Sequence, residues 1–478
     1  MNELVEKKKR IIEHYIKKKK IIAKDSLDSP ENIQKLYSEI TEQCISTDGI
    51  SENQIITNEK YKVVIRKEND FGKVNYSVND FSSYFLKRFK AIEKILRGRQ
   101  ELENLTSIRR LQQKSEREKV STIGIVYDKG ITKNGNVSLL LEDMSGFIRV
   151  IVSKNSPGFE IALDTEMDEV IGVVGTNGNN IIFANNVIYP DVPLATEIKK
   201  SEDEVYSVII SDVHIGSNLF LPEMFDDFIK WLCGEYGSEV ERKIAEKVKY
   251  IFIVGDLVEG VGIFPSQKEE LVIYDIYEQY REAARLLSKI PIDKQIILCT
   301  GNHDASRIAE PQPRIHKEFA EELYALPNIH IVTNPSIVNI HSNEDFAGFN
   351  CLLYHGMSFT YYCDNVKSIK ESGLPISDRT GIIMKYLLQR RHLAPTYTST
   401  RIMPNPDEDC LVIDDVPDFF LSGHIHKAVI TSYRGVSIIS GSCFQSHSAY
   451  QEKFGHTPIP GQVPLINLKT RKVTMMEF

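Results

Sequence analysis

The sequence predicts an α/β protein in which a layered α/β domain follows a small closed β-barrel and a basic, partly helical N-terminal region. Three observations lead to this fold class. Short β-rich segments separated by turn residues crowd one stretch of about 80 residues, as in small barrels. Beyond it, apolar β-branched segments alternate with longer helical stretches, as in a layered α/β domain. Before it, lysine-rich helical patterns predominate.

These changes in pattern define four parts of the chain. They are a basic, partly helical or disordered region (1–75), a basic amphipathic helix with a linker (76–117), the barrel (118–198) and the α/β domain (199–478).

The composition of the 478 residues fits a globular protein of two to four domains, at about 100–200 residues per domain. The net charge of −8 hides an asymmetry, because residues 1–120 hold 26 Lys and Arg against 19 Asp and Glu, and residues 121–478 hold 32 against 47. No stretch approaches the ~18 consecutive apolar residues of a membrane helix, and no apolar signal core follows the first lysines. The seven scattered cysteines favour a reducing compartment. We therefore expect a cytoplasmic protein without membrane contacts.

The first part of the chain carries nine basic residues between Lys7 and Lys24 against one acid, Glu13. Such a run is typical of a solvated or disordered face, and a contact with a partner or with phosphate is the alternative.

Residues 80–97 predict an amphipathic helix with Asp80 as its cap. Its buried face is marked by Phe85, Phe89, Ile92 and Leu96 at 4-3-4 spacing. The opposite face is basic, so it is either an ordinary surface or a contact for DNA phosphates with salt-dependent affinity. The candidate nucleic-acid contacts are Lys87, Arg88, Lys94 and Arg97.

A charged stretch, 98–119, then predicts a helical linker, and five β-rich segments follow it. The segments are 120–127, 137–143, 147–153, 170–175 and 181–189, with turn signals such as Asn134-Gly135 between them. Five strands in about 70 residues favour an OB-fold barrel. The sequence reveals no dense array of exposed aromatic residues, so docking of a partner is favoured over stacking on nucleic-acid bases.

Five short motifs in the α/β domain carry the functional signal, and most of them follow a predicted strand. They are Asp212-Val-His214, Gly255-Asp256-Leu-Val-Glu259-Gly260, Gly301-Asn302-His303-Asp304, His355-Gly356 and Gly423-His424-Ile-His426. Because sites in open α/β sheets form beyond the carboxyl ends of strands, these side chains are expected to meet. In an extended segment residues i and i+2 point the same way, so we expect each Asp-x-His or His-x-His pair to act together.

The motifs predict a metal site. A lone His or Asp at a strand end is usually a cap, but five such motifs together argue for ligation. The candidate ligands are Asp212, His214, Asp256, Asn302, His355, His424 and His426. Seven ligands are more than one tetrahedral ion can bind. They fit two ions with Asp256 between them. Oxygen and imidazole ligands without cysteine suit Mn²⁺ or Fe²⁺, with Zn²⁺ also compatible.

His303 is interpreted as a catalytic residue rather than a ligand. A protonated His303 could stabilise a phosphate and protonate its leaving oxygen, and Asp304 is expected to orient the ring.

The ordered set DVH, GDxxxG, GNHD, HG and GHIH resembles the calcineurin-like metallophosphoesterases. Within them, the chain resembles the small subunits of archaeal family-D DNA polymerases, which are related to the B-subunits of eukaryotic replicative polymerases. The segments that carry the resemblance are GDLVEGVGIFPSQ (255–267), GNHDASRIAEPQP (301–313), GLPISDRTGIIMKYLLQRRHLAP (373–395) and FFLSGHIHK (419–427). It extends over roughly 118–478.

This resemblance implies a proofreading 3′–5′ exonuclease that forms a heterodimer with a large catalytic polymerase subunit. It implies the seven ligands above for two divalent ions, typically Mn²⁺ with Mg²⁺ a further option, and His303 as the catalytic histidine. The family commonly has Asp where Glu259 stands, and Glu259 need not be a ligand. The implied partners are the large subunit and primer-template or single-stranded DNA at the nucleoid. A sliding clamp is a further candidate, although the sequence contains no convincing clamp-binding box.

Three alternatives remain open at this point. The chain could be a non-catalytic assembly subunit of the polymerase, although its motifs are intact. It could be a repair nuclease of the double-strand-break type, although such enzymes place the first motif close to their N-terminus. A small-molecule phosphodiesterase is the third. The acidic surplus also leads us to expect that the isolated chain binds DNA weakly.

Overall fold

The computed structural model describes residues 61–69, 76–194, 196–447 and 457–478. All of these belong to one compact unit that begins at Glu59. The lysine-rich segment between Lys7 and Lys24 lies outside the described residues. None of the helices in the described ranges has both the length and the apolar character needed to cross a membrane.

The first described elements are β1 (Lys62–Lys67) and α1 (Val78–Leu96). Strand β1 lies within the part that the sequence assigned to a basic, partly helical or disordered region, so that assignment was wrong for these six residues. Helix α1 matches the expected amphipathic helix, but Asp80 is not its N-cap. The backbone N–H of Ser77 donates to Asp80 Oδ2 (2.6 Å), which makes Asp80 the acid of a capping box.

The predicted helical linker after α1 is wrong in its secondary structure. It contains only one short helix, α2 (Ile108–Leu111), among turns. Leu102 is buried in a cluster between α1 and the barrel, and Ile108 and Leu111 are buried in the barrel core. Apolar side chains therefore fix this segment against the barrel and interrupt the charged pattern that suggested a helix.

A closed five-stranded barrel follows, as the sequence predicted. Its elements are β2 (Lys119–Ile131), β3 (Val137–Asp143), β4 (Gly146–Val152), α3 (Phe159–Asp164), β5 (Val170–Gly178) and β6 (Ile181–Ile188). The strand order is β2-β3-β4-β6-β5, closed by pairing of β5 with β2, and β4 and β6 are parallel. This arrangement is consistent with an OB-fold.

The α/β domain is built on two six-stranded sheets. The elements of the first sheet are β7 (Tyr206–Ile210), β8 (Val248–Val254), β9 (Gln295–Cys299), β10 (Ile329–Val332), β16 (Gln462–Asn467) and β17 (Val473–Glu477), in the order β10-β9-β8-β7-β16-β17. Strands β7 to β10 are mutually parallel, so their carboxyl ends share one edge. Three of the five motifs begin at this edge.

The second sheet has the order β1-β11-β12-β13-β15-β14. Its further strands are β11 (Ser336–Ser342), β12 (Phe349–Leu353), β13 (Phe419–Ser422), β14 (Val429–Tyr433) and β15 (Val436–Ser440). Strands β12 and β13 are parallel and carry the other two motifs, and β1 extends the sheet antiparallel to β11.

Helices cover the outer faces, and apolar residues fill the space between the sheets. The first sheet carries α4 (Pro222–Leu232), α5 (Glu239–Glu246), α6 (Ile276–Leu287) and α7 (Glu321–Tyr324), and the second carries α8 (Phe359–Asn365), α9 (Lys367–Lys370) and α10 (Thr380–Arg390). Phe252 and Ile297 of the first sheet and Phe349 and Phe419 of the second share one buried cluster. The result is a layered α/β domain, as predicted, and its layers number four.

The basic face of α1 differs from the prediction at one position. Lys87, Lys94 and Arg97 are exposed, but Arg88 is fully buried, and its Nε donates to Asp409 Oδ2 at 2.7 Å. The prediction that Arg88 contacts DNA is therefore corrected, since its guanidinium faces the α/β domain. The other three side chains stay candidate contacts.

Candidate metal centre

The five motifs occupy the loops that follow β7, β8, β9, β12 and β13, so the strand ends do bring them together. The local backbone is not the extended segment that the sequence predicted. Left-handed φ values occur at Asp212 (51°), His214 (57°), Asp256 (53°), His424 (72°) and His426 (58°). Asp212 and His214 share one cluster, as expected, but His424 and His426 belong to different clusters, so the expectation that this second pair acts together was wrong. Backbone strain of this kind is typical of functional sites.

The first cluster contains Asp212, His214 and His426, all of them buried. Nε2 of His214 lies 3.2 Å from Nε2 of His426, which lies 3.3 Å from Oδ1 of Asp212. Two nitrogens bound to one ion at ~2.1 Å would lie about 3.0–3.4 Å apart. The spacing therefore fits three ligands around one position.

The second cluster contains Asp256, His355 and His424. His355 Nδ1 donates to the carbonyl of Val254 (2.8 Å), so that Nε2 faces Asp256 Oδ2 at 3.2 Å. Asn302 Oδ1 lies 3.1 Å from the same nitrogen. A carbonyl that fixes the outer nitrogen is the usual support of a metal-binding histidine.

Asp256 lies between the two clusters. Its Oδ2 is 3.2 Å from His355 Nε2 in the second cluster and 4.0 Å from His214 Nε2 in the first. Its Oδ1 accepts a hydrogen bond from the backbone N–H of His303 at 2.8 Å. Asp256 thus approaches one histidine of each cluster.

Glycines allow the loops to approach this closely. A Cβ on Gly301 would lie 2.2 Å from Asp256 Oδ1, and one on Gly423 would lie 2.8 Å from Asp212 Oδ2. Gly255 has a φ of +86°, and a Cβ there would lie 2.3 Å from His355 Nδ1. No other residue type fits these three positions without movement of a ligand.

Burial and mutual charge interactions shift the pKa values of the carboxylates and imidazoles in the site. Burial opposes ionisation of Asp212, but His426 and His355 outweigh it and lower the pKa of Asp212 to about 2. Burial disfavours the charged form of His355, yet Asp256 raises its pKa to about 10. Burial and the neighbouring His355 lower the pKa of His424 to about 3. The carboxylates are therefore anionic and able to bind cations near neutral pH.

Glu259, not Asp304, orients His303, which corrects the sequence-based expectation. Nδ1 of His303 donates to the backbone carbonyl of Glu259 at 2.8 Å and lies 3.6 Å from its Oε1. Asp304 instead accepts from the backbone N–H groups of Asp256 (3.0 Å) and Gly301 (2.8 Å). Burial and the charge of Asp256 raise the pKa of Asp304 to about 6. Asp304 thus fixes the loops that carry the ligands.

Glu259 is the functional residue that sequence reasoning underestimated. Its Oε2 lies 2.9 Å from His214 Nδ1, and its two oxygens also accept from Gln267 Nε2 (3.1 Å) and Gln445 Nε2 (3.2 Å). Glu259 therefore orients a candidate ligand through its side chain and His303 through its backbone. The acid at position 259 was visible in the sequence, but its contact with His303 is made by a backbone carbonyl, which the sequence does not mark.

The residues present fit divalent cations. Asp212 Oδ1 is buried and makes no hydrogen bond, so a buried anionic oxygen is left for a cation. Anionic oxygens and imidazole nitrogens oriented by outer hydrogen bonds form the expected donor set. The residues present therefore fit a divalent metal centre.

Comparison with known proteins identifies a family profile and several relatives that are similar to this chain. A family profile described as calcineurin-like phosphoesterase matches residues 207–428, which include all seven candidate ligands. The DNA polymerase II small subunit of Methanothermobacter thermautotrophicus is 40% identical over 84% of this chain and 80% of that protein. The protein of the same name from Pyrococcus abyssi is 34% identical over 95% of this chain and 73% of that protein. The protein of that name from Thermoplasma acidophilum is 32% identical over 95% of this chain and 90% of that protein.

Proposed function

The chain belongs to the archaeal DNA polymerase II small subunits, and from this membership we propose that it is the proofreading 3′–5′ exonuclease of a heterodimeric DNA polymerase. A small subunit implies a large catalytic one, and a calcineurin-like phosphoesterase domain implies divalent metal. The proposed substrate is the 3′ end of primer-template or single-stranded DNA, and the proposed location is the cytoplasm, at the nucleoid. Binding of a sliding clamp stays a prediction.

The observation that supports this proposal is that two ligand clusters and His303 lie close together. The clusters come from loops of both sheets, and Asp256 lies between them. Hydrolysis of a phosphodiester needs charge stabilisation at the phosphate, an activated water and a proton for the leaving oxygen. Two divalent ions, when bound, supply the first two by binding the phosphate and by lowering the pKa of a water. We propose Mn²⁺ as the ion, because it is typical of the family that the chain resembles, with Fe²⁺, Zn²⁺ or Mg²⁺ as alternatives.

His303 is the residue proposed to supply the proton. Because Nδ1 donates to the carbonyl of Glu259, the ring is fixed, and in the described part of the chain no hydrogen bond occupies Nε2. A protonated His303 can therefore donate from Nε2 to the leaving 3′ oxygen and then be reprotonated by solvent. A positioned acid of this kind contributes ~10²–10⁴-fold to a rate.

The test uses the chain purified with its large subunit and a primer that ends in a 3′ mismatch. We expect release of nucleoside monophosphates that depends on added Mn²⁺. Asp256→Asn preserves the shape of the side chain and should abolish release, and His303→Ala should reduce it by ~10²-fold or more. His316→Ala is the matched control, because that histidine is 70% exposed and its ion-pair partner is Glu318 rather than a candidate ligand. Unchanged release in Asp256→Asn, from a preparation free of contaminating nuclease, would refute the assignment.

The same preparation tests the alternative that the chain is a non-catalytic assembly subunit of the polymerase. That alternative predicts a stable complex with the large subunit and no release of nucleotides by the parent chain. Intact ligand clusters argue against it, since seven buried or half-buried polar ligands would cost stability without a metal to bind.

A further inference from the structure

Two fully buried amide side chains, those of Gln312 and Asn334, lie outside the five motifs but between the loops of the second ligand cluster. Asn334 is in the connection from β10 to β11, where the chain passes from the first sheet to the second. The backbone N–H of Gln312 donates to the carbonyl of Asn334 at 2.7 Å, and the N–H of Asn334 donates to the carbonyl of Gln312 at 3.0 Å. This backbone pairing holds the two side chains next to each other, and we call Gln312 and Asn334 the amide pair.

The side chain of Asn334 holds the backbone of His355, a candidate ligand. Its Oδ1 accepts a hydrogen bond from the backbone N–H of His355 at 2.9 Å. Its Nδ2 donates to Gln312 Oε1 at 2.8 Å and to Glu310 Oε1 at 3.3 Å. Because both ends of the amide are used, its orientation is fixed, and the segment of His355 is fixed with it.

The side chain of Gln312 extends these hydrogen bonds to the loop on the opposite side of the site. Its Nε2 donates to the backbone carbonyls of Gly301 and Arg307, each at 3.0 Å. Gly301 directly precedes Asn302, whose Oδ1 lies 3.1 Å from His355 Nε2. The amide pair therefore connects two candidate ligands of the same ion, one from a loop of each sheet.

Glu310 provides a second link to the segment of His355. Its Oε1 accepts from Asn334, and its Oε2 accepts from the hydroxyl of Tyr354 at 3.0 Å. Tyr354 directly precedes His355, and both Glu310 and Tyr354 are fully buried. Buried networks in which every member has a partner are rigid, so this one suits the precise placement of a ligand.

We propose that the amide pair positions His355 against Asn302 and thereby sets the affinity of the second cluster for its ion. Within the described ranges, the side-chain hydrogen bonds of the amide pair reach the loops of Asn302 and His355 and none of the first cluster. Loss of a residue that orients a metal ligand typically weakens metal binding 10–100-fold. The effect should therefore fall on one ion of the two. This inference rests on the proposed two-ion site and deepens it by naming residues that position one of the ions.

The test is calorimetric titration of the full chain with Mn²⁺ alone, without DNA. We expect the parent to bind two Mn²⁺ ions. Asn334→Leu, which leaves the N–H of His355 without its acceptor, should weaken one of them by about 10–100-fold and leave the other unchanged. Gln312→Met keeps the contact with His355 but removes the donor to Gly301, and it should weaken the same ion. Fluorescence of Trp231 verifies that each variant is folded, and Gln312→Met decides the outcome if Asn334→Leu does not fold.

Asn339→Leu is the matched control for the loss of buried hydrogen bonds. Asn339 is buried on β11, and its Nδ2 donates to the carbonyl of Ala347 (3.0 Å) and to Asn350 Oδ1 (2.8 Å), neither of them next to a candidate ligand. We expect this variant to bind both ions as the parent does. In the complex with the large subunit, Asn334→Leu should raise the Mn²⁺ concentration for half-maximal nucleotide release about 10–100-fold, and saturating Mn²⁺ should restore the rate.

Folded Asn334→Leu and Gln312→Met variants that bind both ions as tightly as the parent would overturn the proposal. Equal weakening of both ions, or the same loss in Asn339→Leu, would also overturn it, because the effect would then be general rather than local. A parent chain that binds one Mn²⁺ ion would do the same. The exonuclease proposal fails separately, because it is read from nucleotide release by the parent complex. The role of the amide pair would stand even if the parent bound two ions and released no nucleotides.

Discussion

The clearest test of the architecture is the replacement of Arg88 by Met. Arg88 is fully buried and donates to three groups: the carboxylate of Asp409 (2.7 Å), the hydroxyl of Tyr84 (2.9 Å) and the carbonyl of Pro395. Asp409 and Pro395 belong to the α/β domain, so Arg88 links α1 to that domain. Methionine fills a similar volume but provides neither charge nor donors.

The expected loss in the free energy of unfolding follows from the buried groups that the substitution leaves unpaired. Asp409 is also fully buried, and among the described residues the other strong partner of its Oδ2 is His392 Nε2 at 2.8 Å. Removal of one member of a buried ion pair costs ~3–5 kcal/mol, because the remaining charge is uncompensated. Burial opposes ionisation of Asp409, but His392 and Arg88 hold its pKa well below the ordinary value. We therefore expect a loss of about 3 kcal/mol, at the lower end of the range.

The measurement is urea unfolding at neutral pH, followed by fluorescence of Trp231, the single tryptophan of the chain. Trp231 is buried in the core of the α/β domain and reports its unfolding. Lys87→Met is the matched control at the adjacent, exposed position of α1. Adding Asp409→Asn to Arg88→Met should recover part of the loss, since it removes the stranded charge. Equal stability of Arg88→Met and Lys87→Met would refute the role assigned to Arg88.

Three further predictions concern the same structure. Burial and a nearby guanidinium lower the pKa of His392 to about 4, so its contribution to stability is present above pH ~6.5 and lost as pH falls towards 4. We expect unfolding at pH 4 to be easier by roughly 3 kcal/mol from this group, and His392→Gln to flatten that pH dependence. Gly301→Ala would place its Cβ 2.2 Å from Asp256 Oδ1 and should reduce nucleotide release by ~100-fold, whereas Gly130→Ala, with open space around it, should not. Glu259→Gln should weaken Mn²⁺ affinity, measured by calorimetry, by about 10–100-fold, and an unchanged affinity would contradict its positioning role.

The features that could be predicted from sequence are those in which a local pattern and a topological rule act together. The strands before Asp212, Asp256 and Asn302 are short apolar β-branched segments, and parallel strands must end at one edge. Polar residues directly after such strands are therefore brought together whatever the remaining sequence does. The five barrel strands were predictable for a similar reason, because turn residues separate them and closure is the common solution for five short strands.

The features that escaped prediction depend on contacts between residues far apart in the chain. Strand β1 forms because the free edge of β11 accepts it, about 270 residues later. Arg88 lies inside because an acid 321 residues away compensates its charge. The role of Glu259 was missed because the residue that orients His303 does so through a backbone carbonyl, which carries no mark in the sequence. Sequence periodicity predicts one helix or strand at a time, so it gives no information about these three long-range contacts.

The net charge of −8 looks unfavourable for a protein that handles DNA, but the location of the acids changes its meaning. Asp212, Asp256, Glu259 and Asp304 are at most 2% exposed, and three of them are paired with imidazoles. Buried acids of this kind present little field to an approaching phosphate, and bound cations would offset them further. The exposed cations of the described chain include Lys87, Lys94 and Arg97 on α1, Arg109 and Arg110 on α2, and Arg149 on β4. We expect a chain with this charge distribution to hold DNA weakly and with a shallow salt slope when alone, and we propose that its partner subunit keeps the strand within reach of the site.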